Sequence, residues 1–106
     1  MSYSVQMTAE AWQDLNGIFE YIAFELQSVN NATGQIERLE KSINSLTELP
    51  FRYREYEDPY WKSKGLRIMP VDKYIVLYAP DKDDQTVTII RIIHGSRDIP
   101  NRLQDK

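Results

Sequence analysis

The chain has no cysteine, which excludes disulfides, thiolate metal sites and cysteine nucleophilic catalysis. A single histidine, His94, removes His-pair zinc motifs and makes any histidine-based triad depend on one residue. The four glycines are isolated from one another, so no Gly-rich loop is present to cradle phosphate. No apolar run approaches the ~20 residues that span a bilayer. The opening stretch, MSYSVQMTAEAW, has neither the basic start nor the continuous apolar core of a signal peptide. A cytoplasmic protein without membrane partner, cofactor or metal is the expectation.

What is present is ordinary globular material: 106 residues, 42% hydrophobic and 27% charged, enough for one domain over 1–106. The net charge of −3 argues against indiscriminate nucleic-acid binding. That average hides a division. Residues 1–50 carry seven acidic and two basic side chains, a balance of −5, whereas residues 51–106 carry nine acidic and eleven basic, a balance of +2.

The halves also differ in periodicity. Residues 3–7 alternate, with Tyr3, Val5 and Met7 on one side, as in a half-buried strand. Thr8 is placed to cap a helix, with Glu10 in its first turn. Trp12, Leu15, Phe19, Ile22, Leu26 and Val29 then form an apolar stripe, and Gly17 interrupts it at a cost of up to ~1 kcal/mol. Ser28 to Asn31 reads as a turn, and a second stripe follows at Ala32, Ile36, Leu39, Ile43 and Leu46. Leu49-Pro50 stops it. Two such helices fold back as an antiparallel hairpin, packed on each other and on a sheet rather than in a coiled-coil dimer.

Residues 51–64 (FRYREYEDPYWKSK) interleave aromatics with charges and read as a surface-crossing loop whose aromatics seal the sheet edge. Beyond Gly65 the pattern turns β: a weakly alternating stretch from Leu66 to Val71, a wholly apolar run at Tyr74–Tyr78, and a β-branched run from Thr86 to Ile93. The short links between these three strands require antiparallel pairing. The polar C-terminal stretch reads as a short helix or arm. The order is therefore β-αα-βββ, an α+β fold with a helical hairpin on one face of a mostly antiparallel sheet.

Chemistry-bearing residues are few. The acids Asp81, Asp83 and Asp84 lack the glycine and glutamate of a calcium loop and read as a solvated turn. Arg67, Arg91, His94, Arg97 and Arg102, with Tyr74 and Tyr78, form the polar set of the β region. Arg91 interrupts an apolar strand, so it must reach solvent, an acid or a phosphate. Strand parity places His94 on the side of Thr88 and Arg91 on the other.

The end of the second helix, Leu46-Thr47-Glu48-Leu49-Pro50 followed by Arg52, the segment Gly65-Leu66-Arg67, the strand over 72–78 and the stretch VTIIRIIHGSRD over 87–98 together resemble the RelE/ParE superfamily, from about residue 3 to about residue 103. These are toxins of bacterial type II toxin–antitoxin modules. The resemblance implies a growth-inhibiting protein neutralised by a cognate antitoxin that wraps it in a hetero-oligomer. RelE-like members cut messenger RNA on the ribosome, using basic residues and often a C-terminal tyrosine or histidine. ParE-like members inhibit DNA gyrase and have no established hydrolytic centre.

Against the RelE pattern, Ile75 replaces the arginine of the central strand, Arg97 matches the arginine at the exit of the last strand, and the C-terminal tyrosine falls at about Leu103. The acidic net charge and the Arg-Ile-Ile-His-Gly-Ser-Arg-Asp ending make the ParE-like reading the favoured one. The alternative is a ribosome-dependent nuclease with His94 and Arg97 catalytic. On either reading Arg67, Arg91, Arg97 and Arg102 are the phosphate- or target-binding set. A third reading is a non-toxic member that binds antitoxin.

Overall fold

The computed structural model describes residues 2–95. Strand β1 (Ser4–Met7) leads into helix α1 (Ala9–Glu20), which continues as a π-helical turn over Tyr21–Glu25. Helix α2 (Val29–Asn44) returns antiparallel, and two 3-10 turns (Ser45–Thr47 and Pro50–Arg52) and a short helix α3 (Pro59–Ser63) precede the strands β2 (Arg67–Val71), β3 (Tyr74–Asp81) and β4 (Thr86–His94). The sheet order is β1-β4-β3-β2. β1 runs parallel to β4, and the other pairs are antiparallel. The α+β reading holds, with the short α3 as an addition.

Local chemistry sets the element ends. The Thr8 hydroxyl accepts the Ala11 N–H at 3.0 Å and starts α1. Ser28 does the same for α2, accepting the Asn31 N–H at 3.2 Å. The expected turn over Ser28–Asn31 is therefore the first turn of α2 itself, because Ser28 satisfies the orphan amide there. Beyond the end of α2, the Arg52 guanidinium donates to the carbonyls of Glu48 (2.7 Å) and Leu49 (3.1 Å) and to the Ser45 hydroxyl (2.8 Å), fastening the two 3-10 turns to each other.

The main core lies between the helices and the sheet. Ala11, Leu15, Leu39, Ile43 and Leu46 pack there against Tyr74, Val76, Tyr78, Val87, Ile89 and Ile92. The buried side of α1 is thus shifted from the expected stripe: Trp12 and Leu26 are exposed, as is Val29 at the start of α2. Ala11 takes the place against the sheet because a methyl group lets the helix axis approach closely. A second cluster of Leu66, Ile68, Leu77 and Ile93 covers the opposite face, with Tyr56 and Trp61 packed on it. The 51–64 segment therefore covers part of the outer face, and its backbone joins the sheet through the Tyr56 N–H to the Leu66 carbonyl (2.9 Å) and the Ile68 N–H to the Arg54 carbonyl (3.0 Å). As read from its uninterrupted hydrophobicity, β3 is covered on both faces.

β3 and β4 lose register once. Tyr78 pairs with Ile89 but Leu77 pairs with Arg91, so Ile90 is an extra residue in β4. Before this bulge Val87 and Ile89 face the helices; after it Ile92 does. His94, opposite Tyr74 in register, consequently lies on the helix side and not on the side of Thr88. The parity expectation fails because a bulge shifts the alternation by one residue.

The Tyr78 hydroxyl, fully buried, donates to the Pro50 carbonyl at 2.7 Å. Burial pushes its phenol up to about 12, so it stays a donor across the physiological range. Tyr78→Phe leaves that carbonyl unpaired, and a loss of about 1–2 kcal/mol is expected in urea unfolding.

Candidate functional site

Arg91 is paired within the fold. Its Nε donates to Asp14 Oδ2 at 2.7 Å and its Nη2 to Asp14 Oδ1 at 2.9 Å, a two-pronged pair between β4 and α1. Asp14 Oδ2 also accepts the Ile92 N–H at 2.9 Å. β1 pairs with β4 only as far as Ile89, so the amide edge beyond is open, and α1 brings a carboxylate to close it. Asp14 escaped the reading of the sequence as a generic helix acid. A signal was available: it stands three residues after Ala11 and beside Leu15, on the buried side of α1.

Arg67 is spent in a similar way. Its Nη1 donates to the carbonyls of Tyr53 (2.6 Å) and Phe51 (3.1 Å), and its guanidinium lies 5.1 Å above the Phe51 ring. Nη2 sits 3.8 Å from Glu55. Arg67 is the register partner of Tyr78, so this cross-strand pair pins the Pro50–Tyr53 stretch from two sides. His94 stands edge-on to the Tyr74 ring at 5.3 Å. Arg67 and His94 attach to β3 four residues apart, at Tyr78 and Tyr74, or about 13 Å along the strand. The fold keeps them separate. Arg97, Arg102 and Leu103 lie outside the described residues, as does the expected C-terminal helix or arm.

The open space is elsewhere. A groove of about 940 Å³ runs between α1, α2 and the ends of β3 and β4, lined by Gly17, Ile18 and Tyr21 on one side and by Gly34 and Arg38 on the other, with Lys73, Tyr74 and His94 at its end. At its rim Asp72 holds a left-handed conformation (φ 56°) in the β2–β3 turn, which an aspartate tolerates better than most residues. Arg38 Nε (2.8 Å) and Gln35 Nε2 (3.0 Å) both donate to Asp72 Oδ2, tying the turn to α2. The Arg38 hydrogen bond, followed by that of Gln35, holds the Asp72 carboxyl below the ordinary carboxylate value. Among the described residues no group of three or more His, Cys, Asp or Glu side chains could hold a metal ion. No described helix is long and apolar enough to cross a membrane.

Two outcomes follow. Asp14→Ala strands Arg91 and the Ile92 amide, and because the side chains of the pair are only 21% and 15% exposed, a loss of about 2–3 kcal/mol is expected in chemical denaturation. For Asp72, a depressed folded-state pKa contributes stability above the unfolded value and loses it as pH falls through the folded one. The stability difference between wild type and Asp72→Asn is therefore expected to hold steady at neutral pH. It should shrink below about pH 4, as read from urea midpoints along a pH series.

With this geometry in hand, comparison with solved structures identifies the same architecture. A chromosomal ParDE toxin–antitoxin protein of P. aeruginosa superposes with a TM-score of 0.73 at 16% identity, covering 90% of this chain and 98% of that one. A chain of the RelBE2 toxin–antitoxin complex of Mycobacterium tuberculosis gives 0.63 at 21% identity, covering 89% and 92%. A chain of the archaeal RelE–RelB complex of Pyrococcus horikoshii gives 0.61 at 14% identity, covering 92% and 99%. At these identities the likeness is one of fold. No curated protein matches by sequence. The family model for the ParE toxin of the type II toxin–antitoxin system parDE matches residues 5–99. That match takes in the helical hairpin, the bulged β4 and the Asp14–Arg91 junction alike, and the chain belongs to the ParE toxin family.

Proposed function

We propose that this protein arrests bacterial growth by binding DNA gyrase, in the manner of ParE-like toxins, and that a cognate antitoxin encoded beside it neutralises it in a hetero-oligomeric complex in the cytoplasm. The observation that carries this reading is the fate of Arg67 and Arg91, the two members of the expected binding set that lie among the described residues. Arg91 is held by Asp14, and Arg67 by the Phe51 and Tyr53 carbonyls. A ribosomal nuclease needs cations converging on a phosphate beside a general base. Here His94 meets the Tyr74 ring, and Ile75 and Ile93 face each other in register where the RelE pattern has an arginine. The family match to ParE toxins supports the same side.

The nuclease reading rests on His94 and Arg97, and the test addresses it directly. The toxin is induced alone, and plasmid supercoiling and transcript integrity are read from the same culture. Growth arrest with loss of negative supercoiling and intact transcripts is expected, and it should persist in His94→Ala. Cleaved transcripts that disappear in Arg97→Ala would instead assign the chain to the RNA-cutting type. Unimpeded growth would make it a non-toxic binder of antitoxin.

A further inference from the structure

We propose that the outer face of the sheet, between α3 and the β3–β4 turn, binds a small organic anion. Its oxyanion, a phosphate monoester or a carboxylate, takes the Trp61 indole N–H and the Lys64 ammonium, and its apolar body lies on Ala79, Pro80 and Ile90. This site lies outside the toxin–antitoxin reading above and stands without it.

Three observations point to such a ligand. The first is a donor left over. Among the described residues, two side-chain nitrogens are buried without an acceptor, Arg67 Nε and Trp61 Nε1. Arg67 spends its Nη1 on two carbonyls, so its guanidinium is partly satisfied. An indole has one donor and no second choice. Leaving that N–H shielded from water and unpaired carries the full cost of its desolvation. The ring is nevertheless fixed. Asp58 caps α3 by accepting the Tyr60 N–H at 3.0 Å and the Trp61 N–H at 3.4 Å, and the indole packs on the outer cluster of Leu66, Ile68 and Leu77.

The second observation is a cavity at the same residue. Trp61 lines a pocket of about 700 Å³, a size typical of small-molecule sites. Val87 and Ile89 face the helices, so Thr86, Thr88 and Ile90 face outward and form its floor. Gln6 Nε2 donates to Thr88 Oγ1 at 3.0 Å, which leaves the Thr88 O–H as a further donor. The third is charge. Lys64, three residues beyond Trp61, and Lys82, on the facing turn, both line the pocket, and neither has an ion pair among the described residues. Asp81 Oδ1 is engaged by its own turn, accepting the Asp83 and Asp84 N–H groups at 2.9 and 3.2 Å, and Asp84 remains as an acid on the rim. Two cations and a shielded N–H favour an oxyanion, and the apolar floor favours an organic body attached to it. The pocket meets β3 from Ala79 onward, whereas Ile75, where the RelE pattern has an arginine, lies about 13 Å back along the strand. The two places are distinct.

The test follows the indole N–H itself by nuclear magnetic resonance of the isotope-labelled full chain. The two tryptophans give two indole resonances, and Trp12→Phe assigns the one from Trp61. The chain is titrated with phenyl phosphate, with benzoate and with inorganic phosphate. Phenyl phosphate or benzoate should move the Trp61 resonance downfield and saturate it with a Kd on the order of 1 mM, while the Trp12 resonance stays in place. The tighter of the two tells a phosphate monoester from a carboxylate as the source. Inorganic phosphate has no apolar body and should bind at least about tenfold more weakly. Lys64→Gln should weaken binding about fivefold and Asp84→Asn tighten it about twofold, whereas Lys41→Gln on α2 should bind as wild type. Thermal melting checks that each variant folds. A Trp61 resonance that neither organic probe moves overturns the proposal, as does a shift that Lys64→Gln leaves unaltered. Weaker binding in Asp84→Asn overturns it equally, because an anion gains when a rim acid is removed. None of these outcomes bears on the toxin reading.

Discussion

β4 outruns β1. The parallel pairing ends at Met7 and Ile89, and β4 continues to His94 with its amide edge facing the first helix. An unpaired edge is both an energetic cost and an invitation to aggregate. Asp14 closes it by accepting the Ile92 N–H while binding Arg91 through both carboxylate oxygens. Thr8 contributes on the same edge, its amide donating to the Ile89 carbonyl at 3.0 Å and its hydroxyl to the Ile90 carbonyl at 2.8 Å. One short stretch, from Thr8 to Asp14, thus caps its own helix and substitutes for the missing strand. The close seat of α1 follows, with Ala11 fully buried against the sheet.

The bulge at Ile90 belongs to the same junction. By inserting one residue it shifts the alternation of β4, placing Ile92 in the helix-side core and His94 beside Tyr74 at the groove end. A single extra residue thereby decides which side of the sheet carries the only histidine. At the opposite end of β3 the cross-strand pair Arg67–Tyr78 works on backbone rather than on ligand. Its three hydrogen bonds take the carbonyls of Pro50, Phe51 and Tyr53 and fix the exit from α2 to the sheet. Charges that look free in a linear reading are here fastened to the fold.

Element type and order were legible along the chain. Period-two and period-3.6 patterns are local, and so are the caps at Thr8 and Ser28 and the stop at Leu49-Pro50. The resemblance to RelE/ParE toxins was legible for the same reason, since its pieces are short segments in fixed order. The rotation of α1 was less so: the stripe through Trp12, Leu26 and Val29 is amphipathic on paper, but the buried side runs through Ala11, Leu15 and Ile22. Alanine gives a weak hydrophobic signal, and closeness of approach is a property of two elements, not of one.

The sequence by itself determined a single α+β domain, a helical hairpin followed by an antiparallel run of strands, and membership of a toxin superfamily. Tertiary structure alone decided which arginines are engaged, where His94 points and which surface stays open. The physical reason is distance along the chain. Asp14 meets Arg91 across 77 residues, and Tyr78 meets Pro50 across 28. A guanidinium's partner depends on which carboxylate or carbonyl the fold delivers to it, and no local pattern encodes that delivery.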